Sequence, residues 1–321
     1  MNILITGISG QDGSYMADLL LEKGHKVYGL IRRKSNENFE NIEHLLDKVT
    51  LIPGDLSDQS SLMNAINISK PDQIYNFAAQ SFVGASWEQP ELTSNITGLG
   101  ALRLLEAIRK INSKIKFVQA SSSEQFGRVL TPVQDENTPF NPVSPYGSSK
   151  VFAYFLARTY RYSYGMFASN AISFNHEGPR RGKEFVTRKI SMGVAKIHLG
   201  LEKKITLGNL DAKRDWSHAK DIVNGIYLIM QHNKPDDFVL CSGKTHSVRD
   251  FLREAFKVIG VTEWWDYVDM DQQLIRPAEV DELVGDYSKI RDTLGWQPKI
   301  GFDELVREMV ESDIKLFEKE K

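Results

Sequence analysis

Asn2-Ile3-Leu4-Ile5-Thr6-Gly7-Ile8-Ser9-Gly10-Gln11-Asp12-Gly13 is a short apolar run that breaks into three glycines at three-residue spacing. The run has the form of a buried parallel strand. A helical pattern through Met16, Leu19, Leu20 and Leu21 follows it. Strand, glycine turn and helix in that order predict the first unit of a dinucleotide-binding sheet. Glycines at such a turn let the backbone approach a pyrophosphate, which then rests on the helix N-terminus. The spacing is Gly-x-x-Gly-x-x-Gly and not Gly-x-Gly-x-x-Gly, so the flanking strand and helix carry the reading.

Working outward, the same rhythm continues. Lys26-Val27-Tyr28-Gly29-Leu30-Ile31, Val49-Thr50-Leu51-Ile52 and Asp72-Gln73-Ile74-Tyr75-Asn76-Phe77 read as the second to fourth strands. Ile115-Lys116-Phe117-Val118-Gln119-Ala120 and Phe167-Ala168-Ser169-Asn170-Ala171-Ile172 read as the fifth and sixth. Ala101, Leu104, Leu105 and Ile108 mark a helix between the fourth and fifth. The pattern predicts an α/β fold: a Rossmann-like doubly wound parallel sheet over residues 1–172. Residues 173–321 are expected to form a smaller, mixed α/β unit, with segments returning to the sheet. There Asn175 to Gly182 reads as a polar loop, 185–199 as a helix and 204–207 as a strand. Asp211 to Trp216 and Ile275 to Asp281 read as charged turns, and 302–317 as an amphipathic helix.

Composition bounds the function. The 321 residues carry a formal charge of −2, which gives no reason to expect nucleic-acid or anionic-membrane binding. Cys241 is the only cysteine, so no internal disulfide or cysteine-based metal site is expected. It stands in Phe238-Val239-Leu240-Cys241, a buried strand by pattern. No segment approaches the roughly 18 apolar residues of a membrane span. The N-terminus runs straight into a strand without a signal peptide, and a cytoplasmic location is expected.

The chemistry concentrates in two stretches. Ser144-Pro145-Tyr146-Gly147-Ser148-Ser149-Lys150 has the proline of a first helical turn and a serine cap. Tyr146 and Lys150 then stand one turn apart on one face. The lysine charge is expected to pull the phenol below its ordinary value of about 10, so that it can accept the proton of an alcohol. Ser121-Ser122-Ser123-Glu124 follows the fifth strand and reaches the same carboxyl edge of the sheet, where open α/β folds bind ligands. A Tyr-x-x-x-Lys pair alone is more often a solvated helix face; the shared edge decides against that.

At the end of the second strand, where a site for NAD would carry an acid, stands Arg32-Arg33-Lys34. Guanidinium groups there match a 2′-phosphate, so NADP is the expected cofactor. Asp55, in Gly54-Asp55-Leu56, is placed to reach an adenine. Ala78-Ala79-Gln80-Ser81 is small enough to press against the cofactor. Arg180, Arg181, Lys189, Arg214 and Arg276 offer enough positive charge for a diphosphate substrate.

Gly7-Ile8-Ser9-Gly10-Gln11-Asp12-Gly13-Ser14-Tyr15, Ala79-Gln80-Ser81, Ser144-Pro145-Tyr146-Gly147 and Phe174-Asn175-His176-Glu177 together resemble the extended short-chain dehydrogenase/reductase family of nucleotide-sugar enzymes. Phe185-Val186-Thr187-Arg188-Lys189-Ile190, the run Leu207 to Trp216 and the run Phe302 to Val310 narrow the resemblance to its GDP-mannose 4,6-dehydratase branch. The resemblance implies NADP held by Gly7, Gly10, Gln11, Asp12, Gly13, Arg32, Arg33, Asp55, Leu56, Ala78, Ala79, Gln80, Tyr146, Lys150, His176 and Arg181. It implies a GDP-sugar held by Ser81, Ser122, Glu124, Tyr146, Asn175, Val186, Lys189, Arg214, Arg276 and Glu279, and no metal. Ser122, Glu124, Tyr146 and Lys150 would be catalytic. The implied reaction is an internal redox cycle: oxidation at C4, loss of water across C5 and C6, and return of the hydride to C6.

This chain departs from the branch at three places. Ser122 stands for a usual threonine, which leaves the room of one methyl. Gly178 stands for a serine. Lys34 to Glu40 lacks the Ser/Thr-Gly-Arg run with which relatives build a tetramer. A homodimer through the two long helices is therefore expected, with a homotetramer as the alternative. Dehydration of another GDP-sugar, such as a GDP-manno-heptose, is a second reading. A reductase or epimerase is a third, and would leave Glu124 idle. A non-catalytic NADP-binding sensor is the fourth, and would not need Ser122, Glu124, Tyr146 and Lys150 together.

Overall fold

The structure is a computed structural model that describes residues 1–33, 39–272 and 282–319. Strands β1 (Asn2–Thr6), β2 (Lys26–Ile31), β3 (Thr50–Pro53), β4 (Gln73–Asn76), β5 (Lys116–Ser122) and β6 (Ala168–Ser173) alternate with helices. After them come β7 (Asn175–Glu177), β8 (Ile205–Leu207), β9 (Lys213–His218), β10 (Asp237–Leu240), β11 (Thr245–Ser247) and β12 (Val268–Met270). Seven strands form one sheet in the order β10-β6-β5-β4-β1-β2-β3. Every pairing in it is parallel. This is the doubly wound sheet expected from the sequence, with β10 added beyond β6.

Period-two burial explains the layers. In β1, Ile3 and Ile5 enter the core shared with Met16 and Leu20 of the Gln11–Glu22 helix and Ile222 and Ile226 of the Ala219–Gln231 helix. Leu4 faces the opposite core, with Leu62, Ile66, Leu104, Leu105 and Ile108. Both faces are covered, so the strand is apolar throughout, as a buried parallel strand must be. Each such side chain contributes about 1.5–3 kcal/mol on leaving water. A third core joins the helices Val186–His198, Val248–Val258 and Phe302–Lys319 through Val194, Phe251, Phe256 and Met309.

Two expected loops are strands. Lys213–His218 is β9, although 211–216 reads as a charged turn, and Asn175–Glu177 is β7. β9 pairs in parallel with β7 and antiparallel with β11. Asp215 is fully buried in this small sheet, where its carboxylate accepts hydrogen bonds from Ser242 N and Oγ, Gly243 N and Gly285 N. Its charge serves distant backbone instead of solvent, which is why the segment is not a surface turn. The expected turn at 275–281 lies outside the described residues. Among the described residues no helix is long and apolar enough to cross a membrane.

Candidate active site

The carboxyl ends of β1, β4, β5 and β6 open on two adjoining cavities. Gly7 has φ +71, and a Cβ there would lie 2.9 Å from Ala78 N; one at Gly13 would lie 2.2 Å from Gly7 O. The glycines therefore let the β1 turn, the helix behind it and the loop after β4 close on one another. Gly10 starts the Gln11–Glu22 helix, and no side chain caps it. An uncapped N-terminus of this kind suits an anion. The cavity here is about 860 Å³ and is lined by Gly7, Gly10, Gln11, Asp12, Gly13, Arg32, Asp55, Leu56, Ala78, Ala79, Gln80 and Arg181. Its size and backbone cradle fit a dinucleotide. Arg33 is exposed and does not line it.

The second cavity, about 700 Å³, is lined by Ser81, Ser122, Glu124, Tyr146, Lys150, Asn175, His176, Val186, Lys189 and Arg214. Asp12, Ala79, Ser81 and Arg181 line both, so the two are continuous. Arg276 and Glu279, also expected here, lie outside the described residues.

Local structure places each reactive group. Ser144 caps the Pro145–Tyr164 helix, its Oγ accepting from Gly147 N at 3.0 Å. Ser122 caps the short turn Ser123–Gln125: its Oγ accepts from Glu124 N, while Gln125 Oε1 accepts from Ser122 N. That capping box sets Glu124 on the cavity wall. The Glu124 carboxylate takes no hydrogen bond from any described residue. Gly147 is small because the Glu124 carbonyl packs against it, 2.6 Å from where a Cβ would stand.

The Tyr146 hydroxyl does not behave as the sequence suggests. Burial pushes the phenol up, the Ser122 hydroxyl pulls it down, and the Glu124 charge raises it further. Lys150 is itself lowered by burial, to about 8, with Asp12 pulling it back up. Its Nζ donates to Ala120 O at 2.6 Å, turned toward the sheet. The expected fall of the phenol through Lys150 is thus absent here, because the ammonium is spent on a backbone carbonyl in a dry setting.

Sequence reading missed what fixes that carbonyl. Ala78 N donates to Thr6 Oγ1, Thr6 Oγ1 to Asn76 Oδ1, and Asn76 Nδ2 to Gln119 Oε1. Gln119 Nε2 then donates to Ala120 O, the acceptor of Lys150. This chain of bonds crosses β1, β4 and β5 and joins the cofactor loop to the lysine. Its signal in the sequence is slight: Thr6, Asn76 and Gln119 are polar side chains within the strands β1, β4 and β5. Asn41 was missed as well; its Nδ2 donates to Ser9 O and Arg180 O, clamping the glycine turn.

A family model described as GDP-mannose 4,6 dehydratase matches residues 4–309. GDP-mannose 4,6 dehydratase 1 of Arabidopsis thaliana is 48% identical over 330 residues, covering 99% of this chain and 91% of the relative. GDP-mannose 4,6 dehydratase of Homo sapiens is 48% identical over 340 residues, covering 98% of this chain and 91% of the relative. The crystal structure of the Thermus thermophilus UDP-glucose 4-epimerase in complex with NAD superposes with a TM-score of 0.85 at 26% identity, covering 98% of this chain and 99% of that one. Likeness of this extent, running through both cavities and both ends of the sheet, means that the chain belongs to the GDP-mannose 4,6-dehydratase family.

Proposed function

We propose that the protein is an NADP-dependent GDP-mannose 4,6-dehydratase, converting GDP-D-mannose to GDP-4-keto-6-deoxy-D-mannose. The observation that carries this reading is a carboxylate, Glu124, that bonds to no described residue and lines the same cavity as Tyr146 and Ser122. Oxidation alone needs the tyrosine; only elimination needs the acid.

Gly7, Gly10, Gly13 and the loop at Ala78 and Ala79 would hold a nicotinamide cofactor, which would supply reversible hydride chemistry at the sugar. Tyr146 accepts the O4 proton, with Ser122 holding the hydroxyl. The ketone at C4 acidifies the C5 proton, which Glu124 removes as the C6 hydroxyl leaves, so that one water is lost. Lys189, Arg214, Asn175 and Val186, in the lining of the same cavity, would hold the nucleotide diphosphate end of the substrate. In this reading residues 1–172 hold the cofactor and the reacting groups, and most of 173–321 holds the nucleotide. Arg32 at the cavity rim supports NADP over NAD.

The same proposal makes the protein a cytoplasmic homodimer. Phe152, Phe155 and Tyr162 are exposed along one face of the Pro145–Tyr164 helix, a stripe that a second copy would cover.

Incubation with a panel of GDP-sugars tests the function. GDP-mannose should lose the mass of one water with no net change in reduced nicotinamide absorbance. Turnover only of a sugar enlarged at C6 would move the substrate to a GDP-manno-heptose, and steady build-up of reduced cofactor would mean an ordinary dehydrogenase.

A further inference from the structure

Asp12 and His176 form a half-buried pair at the seam of the two cavities. His176 Nε2 lies 2.9 Å from Asp12 Oδ2, and Nδ1 lies 2.6 Å from Phe174 O. Both partners are oxygen acceptors, and a neutral imidazole has only one N–H to give. One contact would then set lone pair against lone pair. The ring satisfies both only when doubly protonated. Gln11 reinforces the arrangement, its Nε2 donating to Asp12 Oδ1 and to His176 O.

The surrounding charges agree. Burial opposes ionisation of Asp12, but His176, Arg181 and Gln11 outweigh it and hold the carboxyl at about 2. Burial likewise opposes the charged ring, yet Asp12 and the Phe174 carbonyl raise His176 above its ordinary value against the repulsion of Arg181. Glu177 is turned away, accepting from Thr187 Oγ1 and pairing with Arg181. Across the strand pair His176 meets Ser217, which is uncharged. Asp12 also acts on Lys150 and Tyr146, raising both.

We propose that Asp12 is a positioning residue that holds His176 as an imidazolium, so that a neutral pair, not a bare carboxylate, faces the cofactor diphosphate. The inference rests on the cofactor reading of the glycine cradle. Asp12 occupies the second residue of the Gln11–Glu22 helix, where an unbalanced negative charge would repel an anion at the helix N-terminus. Proton binding by His176 and cofactor binding are therefore linked, each favouring the other.

Two measurements on the whole protein test this. Nitrogen NMR of the histidines, with His176 assigned by its loss in His176→Gln, should show both ring nitrogens protonated at neutral pH. In Asp12→Asn the His176 titration should move to lower pH. Calorimetric titration of NADP should weaken by about tenfold as pH rises through the His176 transition. His176→Gln keeps a donor toward Asp12 and cannot titrate, so its affinity should not follow that transition. A neutral His176 at neutral pH, or the same pH slope in His176→Gln, where Lys150 would be its source, overturns the inference. A doubly protonated His176 in a protein that binds no nicotinamide cofactor at any pH would overturn the cofactor reading and the linkage with it.

Discussion

The Lys150 ammonium sits 5.6 Å from the centre of the Tyr146 ring, while its hydrogen bond of 2.6 Å goes to Ala120 O. Both side chains are nearly buried, Lys150 at 4% and Tyr146 at 8% exposure. The site therefore keeps a charge where the fold alone would not choose one.

That arrangement predicts a trade of stability against activity. The folded Lys150 value of about 8 lies below the ordinary 10.5, so the charged lysine burdens the folded state at neutral pH. The burden lifts as pH rises through 8 toward 10.5. It amounts to about 3 kcal/mol at most. Lys150→Met should unfold later than wild type at pH 7 and lose that pH dependence, because Ala120 O retains the Gln119 amide. Turnover should fall at least about 100-fold. Denaturant melts at pH 7 and 10 check the first claim; a less stable variant at pH 7 refutes it.

Glu124→Gln separates the half-reactions. The carboxylate bonds to no described residue, so the variant should melt with wild type and bind GDP-mannose and NADP normally. Water loss and exchange of the C5 hydrogen with deuterated solvent should both fall by about 10²–10⁴. Tyr146→Phe should fail before any exchange, at hydride removal. Near-normal dehydration by Glu124→Gln would return the acid to a structural role.

Cofactor choice should turn on one of two adjacent arginines. Arg32 lines the cavity and Arg33 does not. Arg32→Ser should weaken NADP more than tenfold, as loss of a charged hydrogen bond of about 1.5–3 kcal/mol implies, and spare NAD. Arg33→Ser should change neither. Equal loss in the two variants by calorimetry would show that general positive charge, not a specific contact, sets the preference.

Asp215→Ala tests the small sheet. Removal leaves the Ser242, Gly243 and Gly285 amides without their acceptor. The cost should be about 3–5 kcal/mol in chemical denaturation. Asp215→Asn, which retains one acceptor oxygen, should lose less.

What the sequence discloses follows from the range of the forces involved. The apolar run of β1 and the Ser144 cap are signals carried by neighbours a few residues apart, and both were legible. The Tyr146/Lys150 pair was legible as a pair, but the depth at which it lies was not, and depth reverses the expected shift of the phenol. β9 was misread because the Asp215 carboxylate is held by amides from 242, 243 and 285, partners no local window contains. Asn76 and Gln119 look idle until β4 and β5 stand side by side.

The addition of β10 beyond β6 has a consequence for biosynthesis. On the ribosome, β6 emerges with one side unpaired, and its partner is made only when residues 237–240 appear. Until then the nascent sheet ends in a raw edge able to pair with other chains. A product truncated after residue 172 would keep that edge for good, so early termination should yield aggregates, not a freestanding cofactor-binding half.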